Sequence, residues 1–224
     1  MTARPPAARR AVDGRALAAE AAVVVGLVFG WFILLSLVAT AAGFPVGARY
    51  SNAAVIGVTA GQVAFAALAL RFLARRGHAP RELLPRPTLL GTAMGIALCL
   101  LFWLLWPLLA NALSLGRFVT GPVEPLVAGA RPHLYVLVLF ACFNALYEET
   151  FLLGYLARAF ERSGALFAIG LAMLVRILYH LYQGPIGAVS VLLFGLLVTV
   201  FYWRTRLLWP AVVAHAASDL AALT

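Results

Sequence analysis

The chain has 224 residues, of which 64% are hydrophobic and only 11% charged, with a formal net charge of +9. That apolar share exceeds the roughly one-half typical of soluble domains, and it excludes a water-soluble fold of this size. The class expected is therefore an all-α, polytopic transmembrane helix bundle. Every cation is arginine, and lysine is absent. With the many Ala, Leu and Val residues, this points to a GC-rich coding bias and a bacterial source.

Residues 1–15 form a basic arm that includes Pro5 and Pro6. Residues 16–224 form the transmembrane domain. The apolar run after the arm is too long for a signal-peptide core and reads as a retained first helix. A spanning helix needs about 20 mainly apolar residues, and seven spans are expected in chain order. The first covers Ala18–Phe44, the second Ala53–Leu73 and the third Thr88–Leu113. The fourth covers His133–Phe160, the fifth Ala165–Tyr182 and the sixth Ile186–Trp203. The last, Leu207–Leu223, is short. The segment Asn111–Pro132 is the longest external loop in this scheme.

The arginines orient the bundle. With the N-terminus inside, thirteen of the 17 face the cytoplasm, among them Arg4, Arg9, Arg10, Arg75, Arg158 and Arg204. Arg49, Arg117 and Arg131 fall outside, and Arg176 lies within a span. That asymmetry predicts a cytoplasmic N-terminus in a multi-pass protein of the bacterial plasma membrane. It also accounts for the basic charge without nucleic acid, because the arginines face anionic headgroups of the lipid bilayer. Tyr202, Trp203 and Trp209 flank Arg204–Arg206 as interfacial aromatics do. The pairs Gly26/Gly30 and Gly91/Gly95 are spaced for close helix packing. Cys99 and Cys142 lie in apolar runs and read as packing residues.

A charge at bilayer depth is costly and usually faces an interior cavity. Asp13, Glu82, Glu124 and Glu161 fall in loops, and Glu20 at the edge of the first helix. The remaining buried charge is Glu148, Glu149, Arg176, His180, His215 and Asp219, all in the fourth, fifth and seventh spans. Asn144 and Glu148, Arg176 and His180, and His215 and Asp219 are each four residues apart. Each pair therefore shares one helix face. Three polar stripes would cost least facing one another around a small wet cavity.

Paired carboxylates beside a basic group can hold different protonation states. An ionised one can take a proton from water, while imidazole shares that task or donates to an oxyanion. Such a set hydrolyses a peptide bond without a covalent nucleophile. No His-Glu-x-x-His zinc motif and no Gly-x-Ser-x-Gly elbow is present. Blander readings stand beside this one. The glutamates can be a structural pair with Arg176, His180 an interior histidine, and His215 with Asp219 an interhelical hydrogen-bond pair. Asn144 and Arg176 read as supporting residues. A non-catalytic immunity or regulatory protein and a proton-coupled transporter are rival functions, and two His with two Glu could ligate zinc.

The region from Tyr147 to Leu220 resembles the CAAX prenyl endopeptidase, bacteriocin-processing and abortive-infection (CPBP) family of intramembrane glutamic proteases. The likeness rests on four motifs in order. These are the pair Glu148-Glu149 with its following Thr150-Phe151-Leu152-Leu153-Gly154-Tyr155, and the helix end Arg176-Ile177-Leu178-Tyr179-His180. The others are the stretch from Phe194-Gly195 to Trp203-Arg204, and Trp209-Pro210 leading to His215 and Asp219. A family-like core of residues 130–224 is expected. The resemblance implies a metal-independent endopeptidase, without cofactor, acting on a membrane-associated peptide or protein. Glu148 would be the general base, assisted by His180, with Glu149 in support. His215 and Asp219 would stand at the oxyanion-stabilising positions. Three residues depart from the family pattern: Leu153 replaces an Arg, Arg176 an aromatic, and Asp219 the commoner Asn. An ionised Asp accepts but cannot donate, so Asp219 either has a raised pKa or serves only to orient His215. Arg176 is expected to supply the charge missing at Leu153.

Overall fold

The computed structural model describes residues 14–43, 51–113 and 132–223. Arg4, Arg9, Arg10, Asp13, Arg49, Arg117, Glu124 and Arg131 lie outside the described residues, as does most of the expected Asn111–Pro132 loop. All regular structure among the described residues is helical.

Helices α1 (Gly14–Val28) and α2 (Gly30–Ala41) cover the expected first span. They meet at 64°, so that span is broken in its middle rather than continuous. At the bend the Tyr147 hydroxyl donates to the Val28 carbonyl at 2.5 Å. A side chain inserted among the backbone carbonyls is a known cause of such kinks.

Helix α3 (Asn52–Arg75) starts at Ser51, whose Oγ accepts from Ala54 N at 3.2 Å. Helix α5 (Leu89–Ala112) starts likewise at Thr88, whose Oγ1 accepts from Gly91 N at 3.0 Å. These caps satisfy amides that have no partner inside the helix. Between them lies the single turn α4 (Pro80–Leu83), opened by a proline at its first position.

Helix α6 (Leu134–Glu149) continues into a wider, π-helical stretch, Thr150–Ala157, in which every residue is buried. Helix α7 (Ala165–His180) is joined by the turn Leu181–Gln183 to α8 (Gly184–Thr205). Gly184 takes φ +74°, a left-handed conformation that glycine adopts without a side-chain clash. There the chain doubles back, since Thr199 Oγ1 comes within 3.9 Å of Met173 Sδ. A straight helix would hold those residues about 39 Å apart at 1.5 Å per residue. The chain ends in α9 (Leu208–Leu223).

Four stretches are long and apolar enough to cross a membrane: Asn52–Arg75, Leu89–Ala112, Leu134–Ala157 and Ala165–Thr205. The bent α1–α2 pair brings the number to as many as five. Helix α9 wedges between α5 and α6. A Cβ on Gly95 would lie 2.7 Å from the Pro210 carbonyl oxygen, and one on Gly91 3.0 Å from the Trp209 ring. The Gly91/Gly95 step is therefore a helix-packing face. The Gly26/Gly30 step is not, because none of the described residues lies within 4 Å of a Cβ at either position.

Buried charge is not confined to α6, α7 and α9 as the sequence suggested. Glu20 on α1 is buried and meets Arg76 Nε at 3.1 Å, His78 Nε2 at 2.8 Å and the Tyr155 hydroxyl at 3.1 Å. This second cluster ties α1 to the end of α3 and to the π-helical stretch. Removal from water is compensated by three partners on two other segments, which sequence spacing could not reveal.

Candidate active site

The two adjacent glutamates have different surroundings because they follow one another on a helix and so point about 100° apart. Glu149 is 0% exposed. Arg176 Nη2 lies 2.8 Å from both of its carboxylate oxygens, and His215 Nδ1 lies 2.7 Å from Oε1. Glu148 instead points to a cavity. Its Oε2 accepts the Tyr179 hydroxyl at 2.5 Å and lies 3.8 Å from Arg176 Nη1 and 3.7 Å from His215 Nε2.

His180 closes α7 one residue after Tyr179. Its Nδ1 is 2.9 Å from the Arg176 carbonyl oxygen. A carbonyl only accepts, so Nδ1 carries a hydrogen and Nε2 is left to other partners. Because Tyr179 reaches Glu148 directly, the end of α7 and the carboxylates share one level of the bundle. His215 Nε2 lies 3.5 Å from Asp219 Oδ1. Asp219 Oδ2 accepts from Asn144 Nδ2 at 2.9 Å, and Asn144 Oδ1 accepts from Gln62 Nε2 at 2.6 Å.

All seven polar residues singled out from the sequence thus meet in one region. Arg176 pairs with Glu149 from the neighbouring helix, while Leu153 is fully buried among apolar residues. Three further contributors escaped the sequence reading: Tyr179, Gln62 and Ser36. Tyr179 stacks on Phe29 at 4.8 Å between ring centroids while its hydroxyl holds Glu148. Ser36 is buried on α2, and its Oγ accepts from Tyr182 N at 3.0 Å beside the α7–α8 turn. Gln62 is a buried amide in the apolar middle of α3. The same argument from the cost of burial that flagged the charges applies to it.

Glu148, Tyr179, His180, Asn144, Gln62 and Asp219 line one side of a cavity of about 720 Å³. Its remaining wall is largely apolar and includes Phe29, Trp31, Phe32 and Leu35 of the first helix pair and Val55, Val58 and Phe65 of α3. A cavity with an apolar wall and a few convergent polar groups is the usual form of a ligand site. A smaller void of about 80 Å³ lies behind, bordered by Trp103, Ser190, Phe194, Arg176 and His215. His180, Gln183 and Asp219 border both cavities. Among the described residues no group of three or more His, Cys, Asp or Glu is arranged to hold a metal ion.

The chemistry available is that of a buried, cavity-lining carboxylate with imidazoles nearby, backed by a sealed ion pair. Residues 130–221 match the family model for Type II CAAX prenyl endopeptidase Rce1-like proteins. That segment contains both glutamates, Arg176, both site histidines and Asp219. No curated protein and no solved structure matches the chain.

Proposed function

We propose that this chain, whose match to the Rce1-like model supports the CPBP family, is a metal-independent endopeptidase that works within the membrane. The single observation that carries this reading is the unequal treatment of two neighbouring carboxylates. Glu149 is sealed and neutralised by Arg176, whereas Glu148 faces a roughly 720 Å³ cavity next to His180.

In this reading a peptide lies in the cavity, and a water sits between Glu148 and His180. Glu148 takes a proton from the water as the oxygen attacks the scissile carbonyl carbon. The carbonyl π electrons move to its oxygen, giving a tetrahedral oxyanion. Collapse breaks the C–N bond, and the proton held by Glu148 passes to the leaving nitrogen. Positioned proton transfer of this kind contributes about 10²–10⁴-fold to rate. Tyr179 and Arg176 set the direction of the Glu148 carboxylate. Glu149 holds His215 and Arg176 in register. His215 borders the smaller void rather than the large cavity, with Nε2 3.7 Å from Glu148, so it steadies that carboxylate, and it serves the oxyanion only where the scissile carbonyl reaches past Glu148. Asp219 receives a hydrogen bond from Asn144, which suits an acceptor that orients His215 rather than a donor to the oxyanion.

The proposed topology has seven spans with the N-terminus in the cytoplasm. It counts the reversing Ala165–Thr205 stretch as two spans and the short α9 as one. Substrates would be membrane-associated peptides or protein tails, because the cavity wall is apolar and lies within the bundle.

The test is cleavage of an internally quenched peptide library by the purified protein in lipid nanodiscs. Wild type should cleave, and chelators should not reduce the rate. Glu148→Gln and His180→Ala should lose at least about a hundredfold in rate while staying folded. Undiminished cleavage by both variants removes the mechanism. Retention of a cellular effect by Glu148→Gln would favour a non-catalytic scaffold instead.

A further inference from the structure

Gln62 lies on α3, outside the segment matched by the family model, and is 3% exposed. Its Nε2 starts a chain of polar contacts that ends at the glutamate pair. Gln62 bonds Asn144 at 2.6 Å, Asn144 bonds Asp219 at 2.9 Å, Asp219 lies 3.5 Å from His215, and His215 bonds Glu149 at 2.7 Å. Four side-chain contacts thereby connect α3 to α6 and α9, and then return to α6.

The direction of this chain is fixed at its Asp219 end. A carboxylate offers acceptors, so Asn144 must turn its NH₂ toward it. That leaves the Asn144 carbonyl facing Gln62, which must answer with its own NH₂. Turning Asn144 over would set acceptor against acceptor at one end and donor against donor at the other. Gln62 Oε1 is then left over, buried at the cavity wall and without a hydrogen-bond partner among the described residues. An unpaired buried carbonyl carries a desolvation penalty and calls for a reason beyond packing. Methionine would fill the same space without that penalty.

We infer that Gln62 is a positioning residue: through Asn144 it fixes the Asp219 carboxylate against His215, and so sets the orientation of the imidazole that faces Glu148 and Glu149. Its effect on turnover rests on the endopeptidase reading. Its effect on His215 does not.

The experiment uses the full chain in lipid nanodiscs with ¹⁵N-labelled histidine. Gln62→Met removes the donor at similar length, and Gln62→Glu places an acceptor opposite the Asn144 carbonyl. Both should shift the ring-nitrogen signals of His215, identified by their loss in His215→Gln. Those of His133, which stacks on Tyr135, should stay in place. Two variants of different chemistry keep the test open if one fails to fold. Unmoved His215 signals in a folded variant would overturn the proposal, whether or not the protein cleaves peptides.

With a cleavable peptide, Gln62→Met should lower kcat about 5–30-fold, as expected for losing one buried hydrogen bond, and leave KM within about twofold. The double variant Gln62→Met/Asn144→Leu should be no slower than the slower single variant, because both act through Asp219. Multiplying losses, or a change confined to KM, would place Gln62 in direct contact with substrate and overturn the positioning role. A wild-type protein that cleaves nothing would sink the endopeptidase reading alone, and the NMR arm would still decide the relay.

Discussion

Arg176 and Glu149 face each other as a sealed pair, with Nη2 of the guanidinium 2.8 Å from both carboxylate oxygens and neither residue more than 1% exposed. Removing one partner strands a buried charge, which typically costs about 3–5 kcal/mol. Arg176→Met should therefore lower the thermal unfolding midpoint of the purified protein markedly. Arg176→Met/Glu149→Gln should regain part of that loss. Equal unfolding of wild type and the single variant would mean that the pair does not hold the bundle together.

The hydroxyl of Tyr179 is the direct hydrogen-bond partner of Glu148, while its ring stacks on Phe29. Tyr179→Phe keeps the stacking and removes the bond. Peptide cleavage should fall about tenfold, in line with one hydrogen bond to a charged group, while the unfolding temperature changes little. A kinetically silent variant would show that Glu148 is held well enough by its other neighbours.

Gly61 and Gly57 on α3 border the large cavity, and a Cβ would meet nothing closer than 4.0 Å at either position. Gly61→Leu therefore starts from an unobstructed Cβ and extends into the cavity proposed to hold the peptide. Its KM for cleaved peptides should rise about tenfold with little change in kcat, the signature of lost ground-state binding. Unchanged kinetics would indicate that peptides enter elsewhere.

The two glycine steps predict opposite outcomes. Gly95→Ala drives a methyl to 2.7 Å from the Pro210 carbonyl oxygen and should destabilise by about 1–3 kcal/mol, as overpacking does. Gly26→Ala meets open space and should be neutral or slightly stabilising, since alanine is the better helix former. Thermal unfolding of the two variants side by side checks both.

The helical, membrane-spanning character and the convergence of the polar stripes were legible in the sequence, because apolar length and four-residue spacing are local signals. Glu148, Glu149, Arg176, His180, His215 and Asp219 were all visible as charges where charge is costly. What they bond to was not visible. The four-residue rule could place Arg176 on the His180 face but could not say that its guanidinium would span to Glu149. Glu20 looked like a residue at a helix edge, because its partners Arg76, His78 and Tyr155 come from distant segments. Neither the bend at Phe29 nor the π-helical stretch after Glu149 carries a proline, and their glycines, Gly30 and Gly154, did not by themselves mark a break in an apolar run. At the bend the Tyr147 hydroxyl bonds the Val28 carbonyl, a contact between distant segments that no local pattern reveals. Tyr179 and Gln62 were overlooked because uncharged polar residues attract less suspicion in an apolar run.

The broken first helix has a consequence for how related sequences should be compared. Val28, Phe29, Ser36 and Gln62 all precede the matched segment, yet each bonds to or stacks on a residue within it. The groups proposed to react come from one half of the chain, and much of the cavity wall around them comes from the other. Two proteins with identical C-terminal motifs but different leading helices would share reagents and differ in the shape of the vessel. Substrate choice would then diverge in the region that motif comparison does not read.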